Sequence, residues 1–147
     1  MKSEPLVSVV MNCYNGEKYL KEAIDSIYNQ NYNNWEIIFW DNNSQDKSAK
    51  IANSYNSKIK YFKGNKTIPL GAARNKAIEQ CKGEFITFLD SDDIWLPDKL
   101  SIQICKMQDY QESILCYTDG FNLYEDYKSI KKITAHKNVN FFEGFIF

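Results

Sequence analysis

The sequence has a single histidine, His136, and its four cysteines (Cys13, Cys81, Cys105, Cys116) include no Cys-x-x-Cys pair. A zinc site needs tighter ligand spacing than this, so structural zinc is excluded. The cysteines fall in apolar strand-like runs and on helix faces, which predicts buried free thiols in a reducing compartment. There is no excess of either charge: 18 Lys and Arg against 19 Asp and Glu leave a formal net charge of -1. That balance removes the electrostatic case for a nucleic-acid partner. The lysines between Lys128 and Lys132 are too sparse for a polybasic anchor. No long hydrophobic run is present either. The apolar stretch ending at Asn12 contains Ser8 and is too short for a signal peptide or a membrane span. The expected location is therefore the cytoplasm, or the inner face of the cell membrane as a peripheral protein. The first loop, Asn12-Cys13-Tyr14-Asn15, lacks Gly-x-Gly-x-x-Gly and lacks an Asp-x-Asp nucleophile. A dinucleotide-binding fold and a phosphatase of that type both lose their defining residues.

What is present is an alternation of strand-like and helix-like segments over 147 residues. Leu6 to Cys13, Glu36 to Trp40, Lys58 to Phe62, Phe85 to Leu89 and Ile114 to Tyr117 read as strands. Between them Leu20, Ala23, Ile24, Ile27 and Tyr28 recur at helical spacing, with Asn15 as a candidate N-cap. Ser44 is placed to cap a second helix carrying Ile51, Ala52 and Tyr55. A third helix is predicted from about Leu70 to Cys81, closed by Gly83, and a fourth follows Pro97 with Leu100, Ile104 and Met107 on one face. This alternation predicts an α/β fold with a mostly parallel sheet flanked by helices. Ligands of such sheets bind beyond the carboxyl ends of the strands. Polar residues gather at those ends: Tyr14-Asn15, Asp41, and Asp90 to Asp93.

The acidic cluster is the sharpest of these signals. Asp90, Asp92 and Asp93 repel one another unless a cation or hydrogen bonds compensate. Hard carboxylate oxygens suit Mg²⁺ or Mn²⁺, ions that usually take one or two carboxylates plus substrate phosphates. The plainer alternative is that Asp92 and Asp93 favour the dipole of the helix after Pro97. Asp41 likewise has an alternative role in an Asx-type turn with Asn42-Asn43, and Arg74 one as a solvated helix residue.

Leu89-Asp90-Ser91-Asp92-Asp93 resembles the DxD metal motif of family 2 glycosyltransferases, and further stretches match that family in order. They are Pro5 to Val10 with Tyr14-Asn15, Tyr19-Leu20 with Ala23-Ile24, Ser26-Ile27 and Gln30, Glu36-Ile37-Ile38 through Asp41 with Ser44 and Asp46, Gly71 to Asn75, and Gly83 to Ile86. The resemblance implies a Rossmann-like GT-A domain over 1–147, with a donor-binding portion at 5–97 and an incomplete acceptor portion at 98–147. It implies transfer of a sugar from a UDP-sugar to a saccharide or lipid-linked acceptor, with inversion and with Mn²⁺ or Mg²⁺. The alternative is a non-catalytic nucleotide-sugar-binding module or an inactive fragment.

Residue by residue, the resemblance places Tyr14 and Asn15 at the base, Asp41 on the base ring, and Arg74 at the diphosphate or the acidic cluster. It places Asp90 and Ser91 at the sugar nucleotide and Asp92, with Asp90, on the metal. The catalytic base belongs to a later motif, and Asp119, Glu125 and Asp126 do not match its context. Two departures stand out. The usual Asp-Asp-Gly-Ser is Asp41-Asn42-Asn43-Ser44, which requires Asn43 to supply any left-handed conformation, and Trp40 replaces a small aliphatic residue. The aromatic stretch Phe141 to Phe147 is costly to leave in water and is expected to pack against another copy of the chain. His136, in a lysine-rich stretch, is expected at the surface.

Overall fold

The structure, a computed structural model, describes residues 4–123 and 130–133. His136, Glu125, Asp126 and the Phe141–Phe147 stretch lie outside the described residues. The chain divides into two compact units, Met1–Ser101 and Ile102–Phe147.

The first unit runs β1 (Val7–Cys13), α1 (Leu20–Tyr28), β2 (Trp35–Asp41), α2 (Ser48–Ala52), β3 (Ile59–Lys63), α3 (Leu70–Ile78) and β4 (Phe85–Phe88). The strands form one sheet in the order β3-β2-β1-β4, every neighbouring pair parallel. β1 and β2 are central and so carry near-continuous apolar sequence, buried on both faces. Val9, Val10, Met11, Ile37, Ile38 and Phe39 fill the two layers. Ala77 of α3 packs on Val10 and Ile38, with Trp40 and Phe62 extending the same face. Trp40 therefore fills its layer, although its indole Nε1 is buried without a hydrogen-bond partner. Leu20, Ala23, Ile24 and Ile27 give α1 a wholly buried stripe.

Polar braces fix the returns of the chain. Ser8 Oγ donates to Glu36 Oε1 at 2.8 Å and accepts the N–H of Gly83 at 2.8 Å. A Cβ on Gly83 would lie 2.5 Å from Ser8 N and 2.7 Å from Leu6 O, so glycine is required here by close backbone approach, not by left-handed geometry. Buried Gln30 donates to Leu96 O at 2.7 Å and accepts Leu100 N–H at 3.0 Å, and Ser26 Oγ accepts Trp95 N–H at 3.2 Å. These bonds anchor the segment that follows the acidic cluster on α1 and on the turn that ends it.

α4 (Lys99–Asp109) leads into the second unit, where β5 (Gly120–Leu123) pairs antiparallel with β6 (Ile130–Ile133). The apolar run Ile114 to Tyr117, expected as a strand, is not one: Ile114 is 80% exposed and no strand among the described residues pairs with it. The thiol expectation is corrected too. All four cysteines are free, but only Cys13 is buried, and Cys105 is exposed.

Candidate functional site

β1 and β2 both end at one edge of the sheet, and the loops after them are tied together by side chains. Asn42 N–H donates to Cys13 O at 2.8 Å, the first bond across the two strand ends. Asn15 N–H then donates to Ser44 Oγ at 3.0 Å, Gly16 N–H to Ser48 Oγ at 3.0 Å and Glu17 N–H to Asp46 Oδ2 at 2.9 Å. In return Gln45 N–H donates to Asn15 Oδ1 and Lys47 N–H to Glu17 Oε2, both at 2.8 Å. Asn15 and Ser44 are thus spent between loops and cap no helix; α1 starts after Tyr19 and α2 after Lys47. Asn15 and Asn43 both take positive φ, 52° and 69°, and Asn43 so adopts the conformation its sequence context requires.

Tyr14 projects from this locked loop with 54% of its surface exposed. Asp41, by contrast, is 0% exposed. Its Oδ1 accepts Ser44 N–H at 2.7 Å and its Oδ2 accepts the Tyr61 hydroxyl at 2.5 Å. Burial, the bond to Asp41 and that carboxylate's charge all push the Tyr61 phenol well above its ordinary range. The Asp41 carboxylate is thus held between Ser44 and Tyr61. The adjacent Asn42 grips Ile68 through both amide atoms, its Nδ2 on Ile68 O at 2.8 Å and its Oδ1 on Ile68 N–H at 3.1 Å. This clip fixes the lead into α3, on which Arg74 stands.

Arg74 Nη2 meets Asp90 Oδ1 at 2.7 Å, both groups partly open to solvent, with the guanidinium 5.7 Å from the centre of the Phe88 ring. Ser91 lies against the first loop: a Cβ on Gly16 would fall 3.0 Å from its Oγ and 2.8 Å from Cys13 Sγ. Asp92 and Asp93 are exposed at the tip. Although Asp93 is exposed as a residue, partial desolvation of its carboxyl, then repulsion from Asp92 and Asp90, raises that carboxyl above its usual value. At Asp46 burial is outweighed by hydrogen bonds from Ser48 and from the N–H of Glu17, and the carboxyl is held below its usual value. Among the described residues no group of three or more His, Cys, Asp and Glu converges to hold a metal ion. Tyr14, Asn15, Asp41, Arg74 and Asp90 to Asp92 therefore share one sheet edge. The sequence reading missed Tyr61, the Asn42 clip and the cross-loop bonds of Ser48.

The family model described as Glycosyl transferase family 2 matches residues 8–144. The chain belongs to this family. An Escherichia coli enzyme named UDP-Glc:alpha-D-GlcNAc-diphosphoundecaprenol beta-1,3-glucosyltransferase is 40% identical over 103 residues, 69% of this chain and 41% of that protein. An uncharacterized glycosyltransferase of Methanocaldococcus jannaschii is 37% identical over 139 residues, 91% of this chain and 48% of its own length. Among solved structures, S. aureus TarS in complex with UDP-GlcNAc superposes with a TM-score of 0.69 at 29% identity, over 71% of this chain and 32% of that one. A Pyrobaculum calidifontis mannosyltransferase in complex with GDP-Man and Mn²⁺ has a TM-score of 0.68 at 22% identity, over 72% and 33%, and shares the fold. The family 2 chain thus has the GT-A arrangement of a mostly parallel sheet flanked by helices. It spans less than half the length of these four relatives.

Proposed function

We propose that this chain carries the donor site of a glycosyltransferase that takes its sugar from a UDP-sugar. The observation that carries the reading is the convergence on one sheet edge of an exposed aromatic, Tyr14, and an acidic loop tethered by Arg74. UDP-linked donors or ligands stand in the names of the E. coli relative and of the TarS complex, which supports uridine.

In this reading Tyr14 stacks on the base, beside Asn15, and Asp41 shapes the base side of the pocket through Ser44 and Tyr61. Arg74 orients Asp90 and supplies positive charge toward the diphosphate. Asp90 and Ser91 face the ribose and sugar. Asp92, with Asp90, would hold Mn²⁺ or Mg²⁺, which when bound supplies Lewis-acid neutralisation of the leaving diphosphate. Transfer is to a saccharide or lipid-linked acceptor with inversion, and the general base lies outside the residues assigned here. Among the described residues no helix is long and apolar enough to cross a membrane.

The test is a thermal-shift screen of UDP-, GDP- and dTDP-sugars with Mn²⁺. A ligand that binds only the folded state raises Tm, so UDP-sugars are expected to give the largest rise. A larger rise with GDP-sugars would overturn the uridine assignment, and no rise with any nucleotide sugar would overturn the donor site.

A further inference from the structure

Tyr14 is more than half exposed, so packing does not fix where its ring stands. Its position is set by the loop that carries it, and that loop is held from outside. Three consecutive N–H groups, of Asn15, Gly16 and Glu17, are accepted by the side chains of Ser44 and Asp46 in the β2–α2 loop and of Ser48, the first residue of α2. Asp46 is the centre of the arrangement. Its Oδ2 takes Glu17 N–H while its Oδ1 takes Ser48 N–H at 2.9 Å, which places Ser48 Oγ under Gly16 N–H. Asn15 is meanwhile in the left-handed region at φ 52°, a conformation that asparagine tolerates. Side-chain acceptors on successive backbone donors leave the loop one arrangement, so the aromatic at its start is preorganised.

Resting on the donor-site reading above, we infer that Asp46, assisted by Ser44 and Ser48, is a positioning residue for nucleotide binding that acts through Tyr14. Removing it frees the β1–α1 loop and lets the Tyr14 ring leave the stacking position, with no contact between Asp46 and the ligand being required.

A double-mutant cycle on the full chain, read by calorimetric titration of UDP with Mn²⁺, tests this. Asp46→Ala is expected to weaken UDP by about tenfold in the wild-type background, as roughly 1.4 kcal/mol of binding free energy would. In the Tyr14→Ala background the same change is expected to have less than about a twofold effect, because the ring it positions is gone. Ser44→Ala, which removes one acceptor only, repeats the cycle should Asp46→Ala fold poorly. Pyrophosphate, which has no base to stack, is expected to bind all variants alike. Equal losses in both backgrounds, or a parallel loss of pyrophosphate, would show a general structural role and overturn the inference. So would unchanged UDP affinity in a folded Asp46→Ala. If Tyr14→Ala alone leaves UDP affinity unchanged, the donor-site reading falls, and this inference with it.

Discussion

In the proposed donor site, Tyr14 is the residue on which base binding most depends. Its ring stands at the rim of the sheet edge, and a base that stacks on such a ring typically gains about 1–3 kcal/mol. Tyr14→Ala should therefore weaken UDP by that amount while leaving thermal stability nearly unchanged, since the side chain is exposed. Calorimetric titration beside a melting curve checks both halves. At the same scale the sequence was readable in part. That Asn43 turns left-handed follows from the lost glycine, whose conformation asparagine tolerates. That Tyr61 closes over Asp41 does not follow: alternation along β3 tells which face a residue takes, not which carboxylate lies beneath its hydroxyl.

Strands and helices obey periodicity wherever a neighbour completes them. β1, β2 and β4 stand where their apolar runs place them because each has a parallel partner in register. Ile114 to Tyr117 has the same composition but pairs with no strand among the described residues, and it stays irregular with Ile114 and Tyr117 exposed. The caps failed for a different reason. Asn15 and Ser44 have the right chemistry for an N-cap, but each finds a partner in the other loop, a pairing set by tertiary structure that local sequence does not encode. Gly83 shows how tightly the α3–β4 return is built. Gly83→Ala would drive a methyl into the backbone of Ser8 and Leu6. Overpacking of this kind costs about 1–3 kcal/mol. Urea unfolding should show that loss, with the slope of the transition unchanged; a variant as stable as the wild type would mean that the return relaxes freely.

Over the whole molecule, one parallel sheet brings residues from three separate loops to a common edge, and the site exists only because of that topology. The ordered set of short motifs made the family legible from the sequence, since a parallel sheet repeats the same strand-loop-helix grammar at each crossing. The bonds that lock the loops were not legible, because they join backbone N–H groups to side chains about 30 positions away. The edge strand β4 leaves Ile86 and Phe88 exposed on the face toward which Arg74 reaches. The central claim is that this edge binds a uridine nucleotide through a metal held by the acidic loop. The most direct measurement is a calorimetric titration of UDP in Mn²⁺, in EDTA, and in Mn²⁺ with Asp92→Asn. Strong binding in the first and a loss of at least about tenfold, or roughly 1.4 kcal/mol, in the other two is the expected result. Equal affinity under all three conditions would contradict it.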